Sequence, residues 1–439
     1  MYRLPRTATA PFCPSEVRGS VAIPAEWPFW RKLMRYAGPG LLVSVGYMDP
    51  GNWATDIESG SRFGYGLLFV VLLASLAAML LQTLCVRLGI VAKKDLAQAC
   101  RAHYSPAASR FLWLGAELAI VACDLAEVLG SALAIHLLFG VSITTGIAIT
   151  AFDTLLVLGL QGAGFRRVEA IVLGLVGTIT ACFVVELAMS QPNWLGVAIG
   201  FGPSLERLQQ PGALYLAIGI VGATVMPHNL YLHSSIVQTR VVSDTPAGRR
   251  EAIKFCTIDT VASLSLALLV NAAIMILAAS AFHGNGHTEV ADIADAYRLI
   301  EPLVGSAPAA VLFGVALLAS GQSSTFTGTI AGQIIMEGFL DLKIPCWQRR
   351  LLTRALALVP AFIGVWIFGD AGIGKMLVLS QVILSFQLPF AMWPLLRFTG
   401  DRALMGEWAT GSLVKAVAWT LFAVISGANV WLVSSAIAG

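Results

Sequence analysis

Charge is what this chain has least of. Only 12% of its 439 residues are Asp, Glu, Lys or Arg, while 57% are hydrophobic; soluble proteins carry about 25% charged residues. With a mean hydropathy of +0.78, the scarcity excludes the water-soluble classes and implies a polytopic membrane protein. The net charge of +3 gives no basic surface for a nucleic acid. The seven cysteines (Cys13, Cys85, Cys100, Cys123, Cys182, Cys256, Cys346) are odd in number, scattered and free of C-x-x-C pairs. Neither a disulfide frame nor a thiolate metal site is therefore expected. No signal-type apolar run follows Arg3, Arg6 and Arg18, so no cleaved leader is expected. The chain lacks an N-x-[ST] sequon, which leans towards a bacterial source. It also lacks a P-loop, an H-E-x-x-H and a G-x-S-x-G that could serve a nucleophile, so it reads as no enzyme and as needing no cofactor.

What is present is a succession of long apolar runs. At about 20 residues per crossing they make roughly eleven spans, near 38–60, 67–88, 111–138, 143–160, 168–188, 212–237, 257–282, 307–339, 351–368, 372–396 and 412–438. Cytoplasmic loops retain Lys and Arg. With the N-terminus inside, all but Arg62, Arg207, Arg298 and Lys375 of the 28 Lys and Arg residues fall on the cytoplasmic side, which fixes N-in, C-out. The expected organisation is a cytoplasmic arm (1–37), one transmembrane repeat (38–190), a second (212–396) and an appended helix (412–438), all α-helical.

Two of the spans are interrupted. Asp49-Pro50-Gly51-Asn52 breaks the first, and Met226-Pro227-His228-Asn229 breaks the sixth. Both have the form x-P-x-N, and the odd number of crossings between them makes the two halves enter the membrane in opposite directions. Matching breaks in inverted halves point to a secondary transporter with its site at the midplane. Taken alone, Pro50 is equally a plain kink and Asp49 a structural carboxylate, although the first span has no Lys or Arg to pair with it. An ionisable group at that depth is a functional-site candidate by default. Asn52, three residues on, can converge with Asp49 on one cation; those oxygens alone would suit Mg²⁺ or Ca²⁺. Met226 occupies the matching place in the other half. As a thioether it is most often mere packing, but as a ligand it favours transition metals over the alkaline earths.

The segments G-Y-M-D-P-G-N-W-A-T (46–55), M-P-H-N-L-Y-L-H-S (226–234) and A-S-G-Q-S-S-T-F-T-G-T (319–329) resemble the signature motifs of the NRAMP family of divalent metal–proton symporters. The resemblance runs over nearly the whole chain beyond the N-terminal arm. It implies a LeuT-like fold, with spans one to five and six to ten as inverted repeats, broken helices one and six, and span eleven appended. It implies metal ligation by Asp49, Asn52 and Met226, by the backbone carbonyls of Gly46 and Ala223, and by Gln381 in span ten. Members handling Mg²⁺ or Al³⁺ lack the methionine, so this chain resembles the transition-metal branch. Asp56 and Glu58, just past the first motif, are expected to face the outer vestibule.

A driven metal flux needs a route for protons. Glu117, Asp124 and Glu127 are spaced i, i+7 and i+10 on one face of span three, a costly arrangement unless that face is polar. The resemblance assigns Asp124 and Glu127 to the proton pathway, with a span-nine arginine as counter-charge; Arg354 is the first choice and Arg350 the second. His228 resembles the family's gating or proton residue, and an imidazole titrates near neutral pH. His136 and His233 read as packing or hydrogen-bonding residues. The expected function is proton-coupled uptake of Mn²⁺, and also of Fe²⁺, Cd²⁺ and Co²⁺, by a monomer in the bacterial plasma (inner) membrane. Its partners would be divalent metal ions, protons and the lipid bilayer. The alternatives are a Na⁺-coupled amino-acid transporter of the same fold and a metal-conducting channel.

Overall fold

Apolar segments of this length cross a bilayer as helices because each N–H and C=O must be satisfied within its own segment. The computed structural model describes residues 18–24, 26–152, 165–304, 307–341 and 346–438. The first expected span is split into α1 (Pro39–Gly46) and α2 (Pro50–Phe63), followed by α3 (Leu68–Ala92), α4 (Pro106–Phe139), α5 (Ile143–Thr150) and α6 (Phe165–Ser190). The sixth is split again, into α7 (Ala213–Val225) and α8 (Pro227–Ile236). Then come α9 (Pro246–Ala281), α10 (Ala307–Leu340), α11 (Cys346–Phe368), α12 (Ile373–Gly400) and α13 (Ser412–Ala438). Every expected span has a helix in its place. The fourth is described only over α5, and its continuation lies outside the described residues, as does Cys13.

Proline begins many of these helices, at Pro39, Pro50, Pro106, Pro227 and Pro246. At that position its missing N–H would have had no helical partner anyway. The side chains of Ser105 and Thr245 accept the first free donors of α4 and α9, from Ala108 and Gly248. The two broken helices pack outer half on outer half, α2 against α7, and inner half on inner half, α1 against α8. Around them α9 lies along α1, α2 and α3, while α10 lies along α4 and α6. Small residues set the α10–α4 distance: a Cβ on Gly328 would stand only 2.8 Å from Glu127 Oε1 and 2.9 Å from Asp124 Oδ1. Without a hydrophobic force between helices in lipid, such close approach is what holds them together. Cys85, Cys100, Cys123, Cys182 and Cys256 are buried and unbridged.

The inner end is sealed by the chain that precedes α1. Val21 bridges to Arg240 after α8, with Val21 N–H donating to Thr239 O (3.0 Å) and Val241 N–H to Val21 O (2.9 Å). The Arg240 guanidinium is fully buried; it pairs with Glu169 at the start of α6 (2.8 Å) and donates to Tyr36 O (3.1 Å) and Ala37 O (2.6 Å). Arg166 shares both Glu169 (2.8 Å) and Ala37 O (2.6 Å). Asp259 of α9 accepts from Gly38 N–H (3.1 Å) and Gly40 N–H (2.7 Å), satisfying donors at the start of α1. One guanidinium thus joins the entry to α1, the start of α6 and the exit from α8. Arg240→Met leaves Glu169 buried with only the half-exposed Arg166, and removing one partner of a buried pair costs about 3 kcal/mol or more. A lower unfolding midpoint in detergent is expected, partly restored in the double variant with Glu169→Gln; an unchanged midpoint for Arg240→Met would show that this seal carries no stability.

Candidate functional site

The two breaks follow from where the prolines stand. In an α-helix the carbonyl of residue i accepts from the N–H of residue i+4. For Gly46 that residue is Pro50 and for Ala223 it is Pro227, and neither has an N–H to give. The chain at Asp49 turns to extended geometry (φ −71°, ψ 164°), and its carboxylate caps α2 by accepting from Asn52 N–H at 2.9 Å. At the other break Met226 takes φ 39°, ψ 101°, a left-handed conformation that costs a non-glycine residue about 1 kcal/mol or more. Two carbonyl-rich turns, the second of them strained at Met226, therefore meet in the middle of the bundle.

The structure brings Gly46, Asp49, Asn52, Ala223, Met226 and Gln381 to this meeting point, and Asp49, Asn52, Ala223, Met226 and Gln381 are at most 1% exposed. Asn52 joins the halves: its Nδ2 donates to Asp49 Oδ1 (2.6 Å) and to Ala223 O (2.9 Å). That nitrogen stands where oxygens of both halves converge, the place a cation would take. For Asn52 to become a ligand its amide must turn half a revolution, presenting Oδ1 in place of Nδ2. Met226 Sδ accepts from Asn229 Nδ2 at 3.4 Å, and a Cβ on Gly46 would lie 3.3 Å from that sulfur. Gln381 lies against Gly51, where an added Cβ would fall 1.8 Å from its Nε2. Asp49 Oδ2 and Gln381 Oε1 are buried without a hydrogen-bond partner among the described residues. The set offers one carboxylate, amide and backbone oxygens and a thioether. Among the described residues no group of three or more His, Cys, Asp and Glu side chains is arranged to hold a metal.

Residues beyond the sequence expectations hold the first break open. Asn271 of α9 donates through Nδ2 to Tyr47 O (2.8 Å) and Asn52 Oδ1 (3.2 Å). Ser320 Oγ of α10 donates to Met48 O, and so does Trp53 Nε1 (3.3 Å). The Trp53 ring is itself wedged against Phe183 and Phe313, with centroids 4.8 and 5.2 Å away. Below the break, Tyr47 OH accepts from Gln82 Nε2 (2.8 Å), Gln82 Oε1 meets His233 Nδ1 (3.0 Å), and His233 Nε2 meets Thr260 Oγ1 (3.5 Å). His233 is thus a hydrogen-bonding residue. So is His136, whose Nδ1 meets Val141 O at 2.6 Å.

The acids of α4 divide into a pair and an outlier. Asp124 and Glu127 are buried, and the buried Arg354 of α11 lies within electrostatic reach of both while donating to Thr150 O at 2.9 Å. The Arg350 side chain lies outside the described residues. Glu117 stands apart, about two turns nearer the inner end; it is only partly buried and accepts from Trp113 Nε1 at 2.8 Å. Cys123, without a role in the sequence reading, occupies the gap between the acid pair and α8: its Sγ lies 3.6 Å from His228 Nε2 and 3.6 Å from Glu127 Oε1. Its position four residues before Glu127, on the acidic face, is the sequence signal that marks it. Of the vestibule pair, Asp56 departs from expectation. It is buried at 1% exposure on α2, because α2 turns that face inward beside Asp49, while Glu58 pairs with Arg62 at 2.9 Å.

Comparison with known proteins gives the following. The family model described as "Natural resistance-associated macrophage protein-like" matches residues 40–435. A protein of Ralstonia nicotianae named divalent metal cation transporter MntH is 70% identical over 442 residues, covering 100% of both chains. Its counterpart MntH 1 of Pseudomonas aeruginosa is 68% identical over 431 residues, 98% of each. Among solved structures, a manganese transporter of Eremococcus coleocola, in complex with an aromatic bis-isothiourea substituted compound, superposes with a TM-score of 0.89 at 40% identity, over 97% of this chain and 91% of that one. A nucleobase-cation-symport-1 family transporter shares the fold alone, with a TM-score of 0.63 at 14% identity over 97% of this chain and 93% of that one.

Asn271 touches the turn only through its amide, so it tests how far the turn depends on support from α9. Removing such an outer contact typically weakens metal affinity about tenfold or more, and Asn271→Ala should weaken calorimetric Mn²⁺ binding by that amount with the fold intact. Affinity equal to the parent would show that the Tyr47 carbonyl needs no holding.

Proposed function

The chain belongs to the Nramp family, and from that premise we propose that it takes up divalent transition-metal ions, Mn²⁺ and also Fe²⁺, Cd²⁺ and Co²⁺, across the bacterial plasma (inner) membrane, as a monomer driven by protons. The observation that carries this reading is the meeting of Asp49 with Met226 at opposed helix breaks. A hard carboxylate oxygen and a soft thioether on one ion favour a transition metal over the far more abundant Ca²⁺ and Mg²⁺. The names of the close relatives, divalent metal cation transporters, and of the manganese transporter support the same substrate class.

In this reading the metal enters between the outer halves α2 and α7. Asn52 turns its amide, giving up Asp49 Oδ1 and Ala223 O, and these oxygens with Gly46 O, Met226 Sδ and Gln381 take the ion. Asp49 Oδ2, without a partner beforehand, gains one. The inner halves α1 and α8 then release the contacts of Arg240 and Asp259 and open the site inward. Protons travel separately, from Asp49 past His228 to Asp124 and Glu127, with Arg354 holding the acids and Glu117 continuing the acidic face inward.

Competitive uptake into proteoliposomes, across Mn²⁺, Fe²⁺, Cd²⁺, Mg²⁺ and Ca²⁺ with and without a pH gradient, tests the reading. Saturable Mn²⁺ uptake accelerated by an inward proton gradient is expected; amino-acid uptake without Mn²⁺ uptake, or unsaturable flux indifferent to pH, would sink it. Asp49→Ala should abolish Mn²⁺ binding. Met226→Ala should keep part of the Mn²⁺ uptake while Ca²⁺ and Mg²⁺ become better competitors, and unchanged Ca²⁺ competition would count against thioether ligation. Glu127→Gln should leave Mn²⁺ binding in place and remove the acceleration by the gradient; a gradient response like the parent's would take Glu127 out of the proton route.

A further inference from the structure

The appended helix α13 leans on α12, through the Trp393, Trp419 and Phe422 rings (centroids 5.1 to 5.7 Å apart) and the Ser385–Asn429 pair, in which Asn429 Nδ2 donates to Ser385 O at 2.7 Å. On its other side it stands off from α3 and α7, leaving an almost wholly apolar groove of about 490 Å³. Leu73 and Leu76 of α3 and Val424 of α13 line it and are half or more exposed. Its lining on α3 runs from Phe69 to Leu80, about 17 Å of helix in the outer half of a hydrocarbon core about 30 Å thick, and on α13 it continues inward from Ala428 to Val417, two residues from Lys415. On α7 it ends at Val225, the residue before Met226.

Above the outer mouth stands Arg207. Leu208, its neighbour, lines the groove, and Arg207 Cδ lies 3.5 Å from where a Cβ on Gly66 would be, just before α3 begins. It is one of only four cations that the charge distribution puts on the outer side. The only hydrogen bond of its guanidinium among the described residues is a long one, 3.5 Å to Ile199 O, and no described carboxylate lies within ion-pair distance. The adjacent Glu206 is exposed and unpaired. Trp194 and Leu195, on the neighbouring short helix Trp194–Gly200, are exposed, as expected at the level of lipid headgroups.

We propose that this groove is a phospholipid site, with one acyl chain lying between α3, α7 and α13 and the lipid phosphate held by Arg207. An extended hydrocarbon chain fits, and the cation at the leaflet surface complements a phosphate. The chain then braces the back of α7 up to Val225, so that lipid packs directly behind the turn carrying Met226.

The test uses the full chain in nanodiscs containing phosphatidylglycerol with a diazirine on an 18-carbon acyl chain, followed by mass-spectrometric mapping of the adducts. Adducts are expected to concentrate on peptides covering 73–80, 214–225 and 417–428. Leu76→Trp and Val424→Trp fill the groove from two exposed positions and should each deplete those adducts about tenfold, and Arg207→Gln should also deplete them about tenfold, the weight of one charge-assisted hydrogen bond. Monodisperse elution and retained Mn²⁺ binding serve as controls that the tryptophan variants fold. Adducts spread evenly over all lipid-facing helices, adducts indifferent to both tryptophans, or cross-links between two copies through the same peptides would each overturn the proposal.

Discussion

Everything at the centre of this molecule depends on two carbonyls that cannot be satisfied by their own helices. Pro50 and Pro227 withhold the N–H groups that Gly46 and Ala223 would otherwise accept from, at a depth where no bulk water can substitute. The surrounding structure is the answer to that deficit. Asn52 reaches across to Ala223 O, Asn271 holds Tyr47 O, and Ser320 and Trp53 hold Met48 O. A site of this kind is kept polar and open by the same bonds that make the break tolerable, so stability and binding draw on one network.

That network also explains why the site is closed in both directions. Asp49 and Gln381 have no exposure at all, and the inner side is barred by a bidentate arrangement around Glu169 and by the Asp259 contacts at the start of α1. These are charge-assisted bonds to backbone groups at helix entrances. They hold only while α1 and α8 stay in place, so they behave as a unit: a rigid movement of α1 breaks the bonds to Tyr36, Ala37, Gly38 and Gly40 together.

The breaks and their pairing were legible in the sequence because proline and a carboxylate inside an apolar run violate a local rule, and violations cluster at functional sites. Counting cationic residues along the chain likewise fixed orientation. What stayed hidden was direction and depth. Asn52 donates through Nδ2 to both Asp49 and Ala223, a partnership between the two breaks that spacing does not show. Asp56 was placed in the outer vestibule, but α2 rotates it inward. The helical period put Glu117 on one face with Asp124 and Glu127 and did not reveal that α11 supplies its arginine only at the level of the last two. Asn271 lies in an apolar run without a neighbouring oddity, and only tertiary contact gives it a part, whereas Cys123 sits on the acidic face of α4, four residues before Glu127.

The inverted arrangement has a consequence for how the protein is made. Asp49 enters the membrane with the first span to be synthesised, but Ala223, Asn271 and Ser320, which line or steady its turn, come from spans six, seven and eight. The counter-charge near Asp124 and Glu127 comes later still, with Arg354 in span nine. During biogenesis the first half must therefore remain in the bilayer with broken backbone and buried acids unsupported until the second half arrives. Its early lifetime rests on local capping, such as Asn52 on Asp49, and on whatever polar shelter the insertion machinery offers. The fold that ends with a shared centre begins as half a site.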